Sequence, residues 1–410
     1  MDCPQGVKNP EGKCVKLNKT IYGLVQSARQ YFRKFVRVLK SPAIGFEGGY
    51  ADPCLLVRRS KKGVVFLGVY VDDCYCVGNK EAIKETVELI KENGFNYTIQ
   101  WNLSDYLSCE IQFSKDKSKA WLGQPHLIKN LMKKFGDKVK KLGTYKTPGA
   151  PGLTISRPKD QKERFLPKEL QTEYRSGVGM LLFLVKHSRP DLANITRELA
   201  KVMDNPTKAA MKELYRAIKF TLDTKDYGLK IEPLPLTKNK EWTMTVYSNS
   251  DWAGDKDTRK SVSGYILFIN GVPVSWKSKS QQSISLSSSE AELIALSEAA
   301  KEIKFIAQCL LSMGVPIQLP IICRVDNIGA IFMAENVTTS QRTKHIDLRY
   351  RFITEFIEDN FIKIIFVKTA ENRSDPFTKN IDSKAYDAHT GHYISKKGNL
   401  EIKATGSQDS

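Results

Sequence analysis

The first part of the chain is organised around Val64-Val65-Phe66-Leu67-Gly68-Val69-Tyr70-Val71-Asp72-Asp73-Cys74-Tyr75-Cys76-Val77. Two apolar runs, rich in β-branched and aromatic residues, flank a pair of adjacent aspartates, which predicts two strands joined by a tight turn. Adjacent carboxylates repel each other and are costly to desolvate, so a bound divalent cation would stabilise the pair. Because Asp is also common in turns, an ordinary hairpin is the alternative interpretation.

Longer motifs carry a family resemblance. Tyr70-Val71-Asp72-Asp73 between apolar strands resembles the active-site hairpin of reverse transcriptases. The stretch from Lys16 to Tyr31 resembles the K-L-x-K-S-L-Y-G-L-x-Q-A-P-R-x-W motif of copia-type retrotransposon Pol polyproteins. Further motifs of that family follow in its order along nearly the whole chain: Tyr174-Arg175-Ser176-Gly177-Val178-Gly179, Arg189-Pro190-Asp191, Asp226-Tyr227-Gly228-Leu229, Ser250-Asp251-Trp252-Ala253-Gly254-Asp255 and Arg342-Thr343-Lys344-His345-Ile346-Asp347.

The composition indicates a globular chain with a polyanionic partner. A length of 410 residues suffices for two or three domains, and 41% hydrophobic with 27% charged residues is typical of soluble proteins. The net charge of +19 suits nucleic acid. A basic surface that only aids solubility is the alternative.

Targeting and redox signals point to an intracellular protein. The eight cysteines show no metal-binding spacing, which is typical of reduced thiols. The N-terminus lacks the apolar core of a signal peptide, and the apolar run Met180–Val185 is too short to span a bilayer. We expect a soluble, cytoplasmic chain that is not secreted and has no membrane partner, and that lies in a virus-like particle if the element is active.

Hydrophobic periodicity and the resemblance together predict an α+β or α/β protein. We expect a truncated reverse-transcriptase palm over 1–150 and a helical connection over 151–236. A ribonuclease H-like domain, a mixed five-stranded sheet with flanking helices, is expected over 237–382, with a disordered tail over 383–410. Asn270-Gly271 predicts a type I′ hairpin turn inside the third of these regions.

The resemblance implies a nuclease site built from acidic residues on separate elements. Glu292, Asp326 and Asp375 match the family's catalytic, metal-binding carboxylates, which hold Mg²⁺ or Mn²⁺ for phosphodiester hydrolysis. The family's fourth ligand, an aspartate on the first strand, is replaced by Asn249. Asp251 is a further catalytic candidate on the same strand face, but it lies about 6.6 Å further along the strand and cannot simply occupy the missing position.

The resemblance also implies a polymerase site. Asp72 and Asp73 would be catalytic metal ligands, and Gln26, Arg29 and Tyr70 would contact substrate. For His345, a nucleic-acid contact and a packing role are both open. The family carries a third metal-binding aspartate on a strand before the segment that Pro4-Gln5-Gly6 matches. We therefore expect the first catalytic strand and most of the fingers to be missing, and polymerase activity to be lost.

The resemblance implies one main function and one alternative. The main hypothesis is a fragment of a retrotransposon RNA-directed DNA polymerase with a ribonuclease H domain. Its partners would be RNA–DNA hybrid and primer–template, with deoxynucleoside triphosphate if the polymerase part were complete. The alternative is a non-catalytic nucleic-acid-binding relic of a transposable element, which the substitution at Asn249 favours.

Overall fold

The structure is a computed structural model that describes residues 16–21, 23–71, 73–101, 103–157, 165–335 and 344–401. It contains two compact units. One comprises Met1–Gln100 with Gln308–Val315, and the other comprises Trp101–Ala307 with Pro316–Ser410. The two units therefore divide near residue 100, and the predicted domain borders stay a prediction.

The first unit contains a four-stranded antiparallel sheet in the order β1-β2-β3-β4. One helix precedes these strands in the sequence and another follows them. Side chains of both helices pack with the sheet into one core, which includes Phe35, Leu56, Leu67 and Ile83. The elements of this unit are α1 (Ser27–Leu39), β1 (Phe46–Gly48), β2 (Leu55–Ser60), β3 (Gly63–Tyr70), β4 (Asp73–Gly78) and α2 (Lys80–Glu92).

β3 and β4 form the hairpin that the sequence predicts. Tyr70 pairs with Asp73, so the turn between them has two residues. Val71, the first of these, has a positive φ of 53°. Two-residue turns with positive φ match the right-handed twist of the strands that they join. The turn therefore places Asp73 at the tip of the hairpin.

The second unit begins with short strands and a group of helices. Apolar faces of the helices pack into one core with Leu131, Phe135, Tyr174, Leu181 and Leu214 fully buried. The first of these helices continues through Gly136 to Val139, which is also buried in this core. The elements are β5 (Asp105–Tyr106), β6 (Cys109–Phe113), β7 (Ala120–Gly123), α3 (Pro125–Val139), α4 (Lys168–His187), α5 (Ala193–Ala200), α6 (Lys208–Asp223) and β8 (Tyr227–Ile231).

A mixed five-stranded sheet occupies the next part of this unit, as predicted. Its order is β11-β10-β9-β12-β13. The first three strands are antiparallel, whereas β12 runs parallel to β9 and to β13. Asn270 and Gly271 have φ values of 46° and 77°, which agrees with the predicted type I′ turn. The strands are β9 (Met244–Asp251), β10 (Val262–Ile269), β11 (Val272–Ser280), β12 (Ile321–Val325) and β13 (Ile362–Phe366).

Three helices accompany the mixed sheet. They are α7 (Ser288–Ser312), α8 (Ile328–Glu335) and α9 (Lys344–Glu358). The Ser287 hydroxyl accepts a hydrogen bond from the Glu290 N–H at 3.1 Å, so it caps the start of α7. Because β9 and β12 are parallel, their carboxyl ends meet at one edge of the sheet, beside the start of α7.

The prediction of a disordered tail is wrong for residues 383–401. A helix, α10 (Ser383–Thr390), and a strand, β14 (Ile394–Lys396), follow the mixed sheet. β14 closes a second five-stranded sheet of order β14-β8-β7-β6-β5. Tyr393 is fully buried, and the Trp121 indole donates a hydrogen bond to the Ser395 carbonyl at 3.2 Å. The polar composition of the tail conceals these buried aromatic contacts, and residues 402–410 lie outside the described part.

Candidate functional site

The edge of the mixed sheet brings together the predicted nuclease residues. Asn249 lies near the end of β9, Glu292 lies in the first turns of α7, Asp326 follows β12, and Asp375 begins a short 3₁₀ helix. The backbone N–H of Ser250 donates a hydrogen bond to Glu292 Oε1 at 2.8 Å. The Asn249 side-chain amide donates to Asp375 Oδ1 at 2.7 Å. These two contacts connect the strand, the long helix and the 3₁₀ helix directly.

Glu292 is a buried carboxyl group with an unusual ionisation. Its side chain is 4% exposed, and its Oε2 has no hydrogen-bond partner. Burial, followed by the negative charge of Asp326, raises its pKa to about 8. Glu292 is therefore mainly protonated at neutral pH when no cation is bound.

Asp375 interacts with two nitrogen atoms through a single oxygen. The Lys379 ammonium lies 2.8 Å from Asp375 Oδ1, and the Asn249 amide contacts the same oxygen. Asp375 itself is 5% exposed. Although burial opposes the charge on Lys379, the carboxylates of Asp375, Asp251 and Asp326 raise the pKa of its ammonium. An internal cation therefore neutralises part of the acidic cluster.

The pKa values of Asp326 and Asp251, the other two acidic residues near this edge, are also shifted. Burial raises the pKa of Asp326, and hydrogen bonds from Thr369 and Asn372 oppose this effect. Burial also raises the pKa of Asp251, while the charge of Lys379 lowers it. Asp251 thus lies within electrostatic reach of Lys379 and Asp375.

The residues at this edge do not fit a pair of divalent cations in the observed arrangement. The unpartnered Glu292 Oε2 is a suitable ligand atom. Asp375 Oδ1, however, is shared by an amide and an ammonium group. Across the described ranges, no group of three or more His, Cys, Asp or Glu side chains is arranged to hold a metal ion. The substitution of aspartate by Asn249 accounts for part of this misfit, because an amide N–H repels a cation.

The predicted polymerase residues lie in the first unit. Asp73 is exposed at the start of β4, and Tyr70 is 57% exposed at the end of β3. Gln26 and Arg29 are exposed at the beginning of α1. Asp72 and the side chain of His345 lie outside the described residues.

Lys379 was not among the residues that the sequence predicted for this site. The spacing from Asp375 to Lys379 is four residues, a distance at which acidic and basic side chains can meet on a helical segment. That spacing was the signal available in the sequence. The convergence of Asn249 on the same oxygen was not available, because 126 residues separate Asn249 from Asp375.

Comparison with known proteins shows what this chain is similar to. Residues 1–148 match the family model described as reverse transcriptase (RNA-dependent DNA polymerase). The Pol polyprotein from transposon TNT 1-94 of Nicotiana tabacum is 30% identical over 94% of this chain and 29% of its own length. The corresponding protein from transposon RE1 of Arabidopsis thaliana is 29% identical over 90% of this chain and 24% of its own length. This chain is similar to copia-type retrotransposon Pol polyproteins over most of its length.

This similarity confirms the predicted resemblance. The chain spans about a quarter to three-tenths of the length of the curated relatives that it matches. A solved ribonuclease H1 from compost, LC11-RNase H1, covers 35% of this chain and 96% of its own length, with 14% identity and a TM-score of 0.25. The mixed sheet is described as ribonuclease H-like because of its strand order and strand directions, and not because of this structural match. Within the described ranges, no helix is long and apolar enough to cross a membrane.

Proposed function

We propose that this chain binds RNA–DNA hybrid through its ribonuclease H-like domain and that its hydrolytic activity is strongly attenuated. The observation that carries this proposal is the contact of the Asn249 amide and the Lys379 ammonium with one oxygen of Asp375. The net charge of +19 supports binding to a polyanion. Mg²⁺ or Mn²⁺ is the proposed cofactor of the ancestral site, with Glu292, Asp326 and Asp375 as its ligands.

Asn249 and Lys379 account for the attenuation in physical terms. Asn249 is neutral and directs an N–H group at Asp375, where a carboxylate would direct oxygen toward a cation. Lys379 supplies one positive charge to the same position, so the cluster attracts a dication less strongly. Glu292 holds a proton near neutral pH, which further reduces the negative charge of the site. Loss of one carboxylate ligand would cost on the order of a thousandfold in hydrolysis rate.

The test compares hydrolysis and binding of RNA–DNA hybrid by the full chain. We expect barely detectable hydrolysis by the natural chain and a large increase in the Asn249→Asp variant with Mg²⁺ or Mn²⁺. Adding Asp326→Asn to that variant should abolish the increase. Asn93→Asp, at an exposed position, is the control for the added charge. Efficient hydrolysis by the natural chain that depends on Asp251 would show that Asp251 is the ligand and refute the proposal.

A second candidate function is RNA-directed DNA synthesis, which the hairpin favours. The two-residue turn between β3 and β4 leaves Asp73 exposed at the tip, where Asp72 and Asp73 could contact a metal-bound deoxynucleoside triphosphate on a primer–template. The predicted loss of polymerase activity stays a prediction. Primer extension by the full chain, compared with its Asp73→Asn variant, tests it: extension that requires Asp73 would refute the predicted loss.

A further inference from the structure

Two arginines at the mixed sheet have no acidic partner among the described residues. Arg324 lies on β12 and is the cross-strand neighbour of Tyr247 on β9. Its guanidinium carbon is 5.8 Å from the centroid of the Tyr247 ring. Arg373, in the loop before the 3₁₀ helix at Asp375, lies 5.0 Å from the centroid of the same ring and 5.3 Å from that of Phe268. Two guanidinium groups thus gather around one buried tyrosine.

One hydrogen-bond donor of the pair is buried without a partner. Arg324 Nε is buried and has no hydrogen-bond partner. Within the described residues, neither Arg324 nor Arg373 forms an ion pair. An unpaired polar group in a buried position has a desolvation cost that a ligand can offset. Both residues are only partly buried, so a ligand can reach them.

Three other arginines of low exposure have a carboxylate partner. Arg58 pairs with Glu85 at 2.8 Å, Arg189 pairs with Asp191 at 2.8 Å, and Arg197 pairs with Glu198 at 2.6 Å. Each of these positive charges is neutralised by a carboxylate within the chain. Within the described ranges, no carboxylate pairs with either arginine at Tyr247.

The charge of Arg373 extends to a neighbouring histidine. The pKa of His392 is lowered to about 4, first by burial and then by the charge of Arg373.

We propose that Arg324 and Arg373 form a phosphate-binding site that holds a phosphodiester group of a bound nucleic-acid strand. A guanidinium presents several N–H donors in a plane, which matches the oxygen atoms of a phosphate. Stacking on Tyr247 fixes the orientation of both groups before the ligand arrives. Because both arginines lie two residues before candidate nuclease residues, Asp326 and Asp375, the site would set the position of the strand relative to that edge. This inference rests on the proposed function, since it assumes nucleic acid as the source of the phosphate.

The test measures binding of a 20-base-pair RNA–DNA hybrid by fluorescence anisotropy across a range of NaCl concentrations. Arg324→Met and Arg373→Met should each weaken affinity by about tenfold and reduce the slope of log affinity against log salt by about 1. Lys212→Met removes the same charge from an exposed position on α6 and should change affinity less than twofold. Circular dichroism checks folding, and Arg324→Lys and Arg373→Lys, which keep the charge but lose the planar donors, replace any methionine variant that does not fold.

The possible outcomes separate this inference from the proposed function. If the natural chain binds hybrid and both arginine variants bind it equally well, the inference is refuted while the proposed function stands. If the natural chain shows no salt-dependent binding of hybrid, the proposed function fails, and with it nucleic acid as the source of the phosphate. Inorganic phosphate is the second probe: thermal stabilisation that requires Arg324, without an effect on hybrid binding, would assign the site to a free phosphate and overturn the proposal.

Discussion

Replacing Glu292 by glutamine should change how the stability of the second unit depends on pH. The pKa of Glu292 is raised from its ordinary 4.5 to about 8 by burial and by the charge of Asp326. Between these two values, the folded chain binds a proton at this position that the unfolded chain has lost. The free energy of unfolding therefore decreases as pH rises from about 4.5 to about 8.

The size of this change in the free energy of unfolding follows from the same two pKa values. One pH unit within the window corresponds to at most about 1.4 kcal/mol. Relaxation of the site and entry of water reduce the total to roughly 2 to 3 kcal/mol over the window. Glutamine cannot ionise, and it retains an oxygen that can accept the hydrogen bond from the Ser250 N–H. The Glu292→Gln variant should consequently lose this part of the pH dependence and be more stable than the natural chain at pH 8.

Urea unfolding followed by circular dichroism in EDTA, at pH values from 5 to 8, measures the effect. Glu355→Gln, at an exposed position on α9, is the matched control and should keep the pH dependence of the natural chain. Asp326 and Asp251, whose pKa values are also raised, contribute a remaining slope of the same sign. Equal slopes for the natural chain and Glu292→Gln would refute the assignment of a buried, protonated carboxyl group.

Three further predictions concern packing and charge. Asn249→Asp places a second carboxylate beside Asp375, so its melting temperature in EDTA should fall by several degrees and recover with Mg²⁺, unlike that of the natural chain. Tyr393→Ala removes a fully buried ring and should lower the free energy of unfolding by about 3 to 5 kcal/mol, whereas a disordered tail would show no change. Gly78→Ala would place a Cβ 2.1 Å from the Val64 carbonyl oxygen and should cost about 1 to 3 kcal/mol, whereas Gly143→Ala, which meets open space, should cost far less.

Local patterns in the sequence were sufficient to predict several secondary-structure elements and the family resemblance. The apolar runs on either side of Asp72-Asp73 predicted the β3–β4 hairpin, and Asn270-Gly271 predicted the turn between β10 and β11, because such turns depend on the conformational preferences of two residues. The order of the motifs predicted the mixed sheet and named Glu292, Asp326 and Asp375 as candidate site residues. It also revealed Asn249 as a departure from the family pattern.

Only the tertiary structure decided which groups meet and where the units divide. Asn249 contacts Asp375, and Arg324 and Arg373 approach Tyr247, although these residues are far apart in the sequence. Tyr393 is likewise buried by residues that are distant in the sequence. The sequence likewise did not show that α3 packs with later helices or that β14 closes a sheet begun at β5. The physical reason is that local propensity concerns a few neighbouring residues, whereas burial, hydrogen bonding and charge neutralisation depend on every element that packs against a side chain.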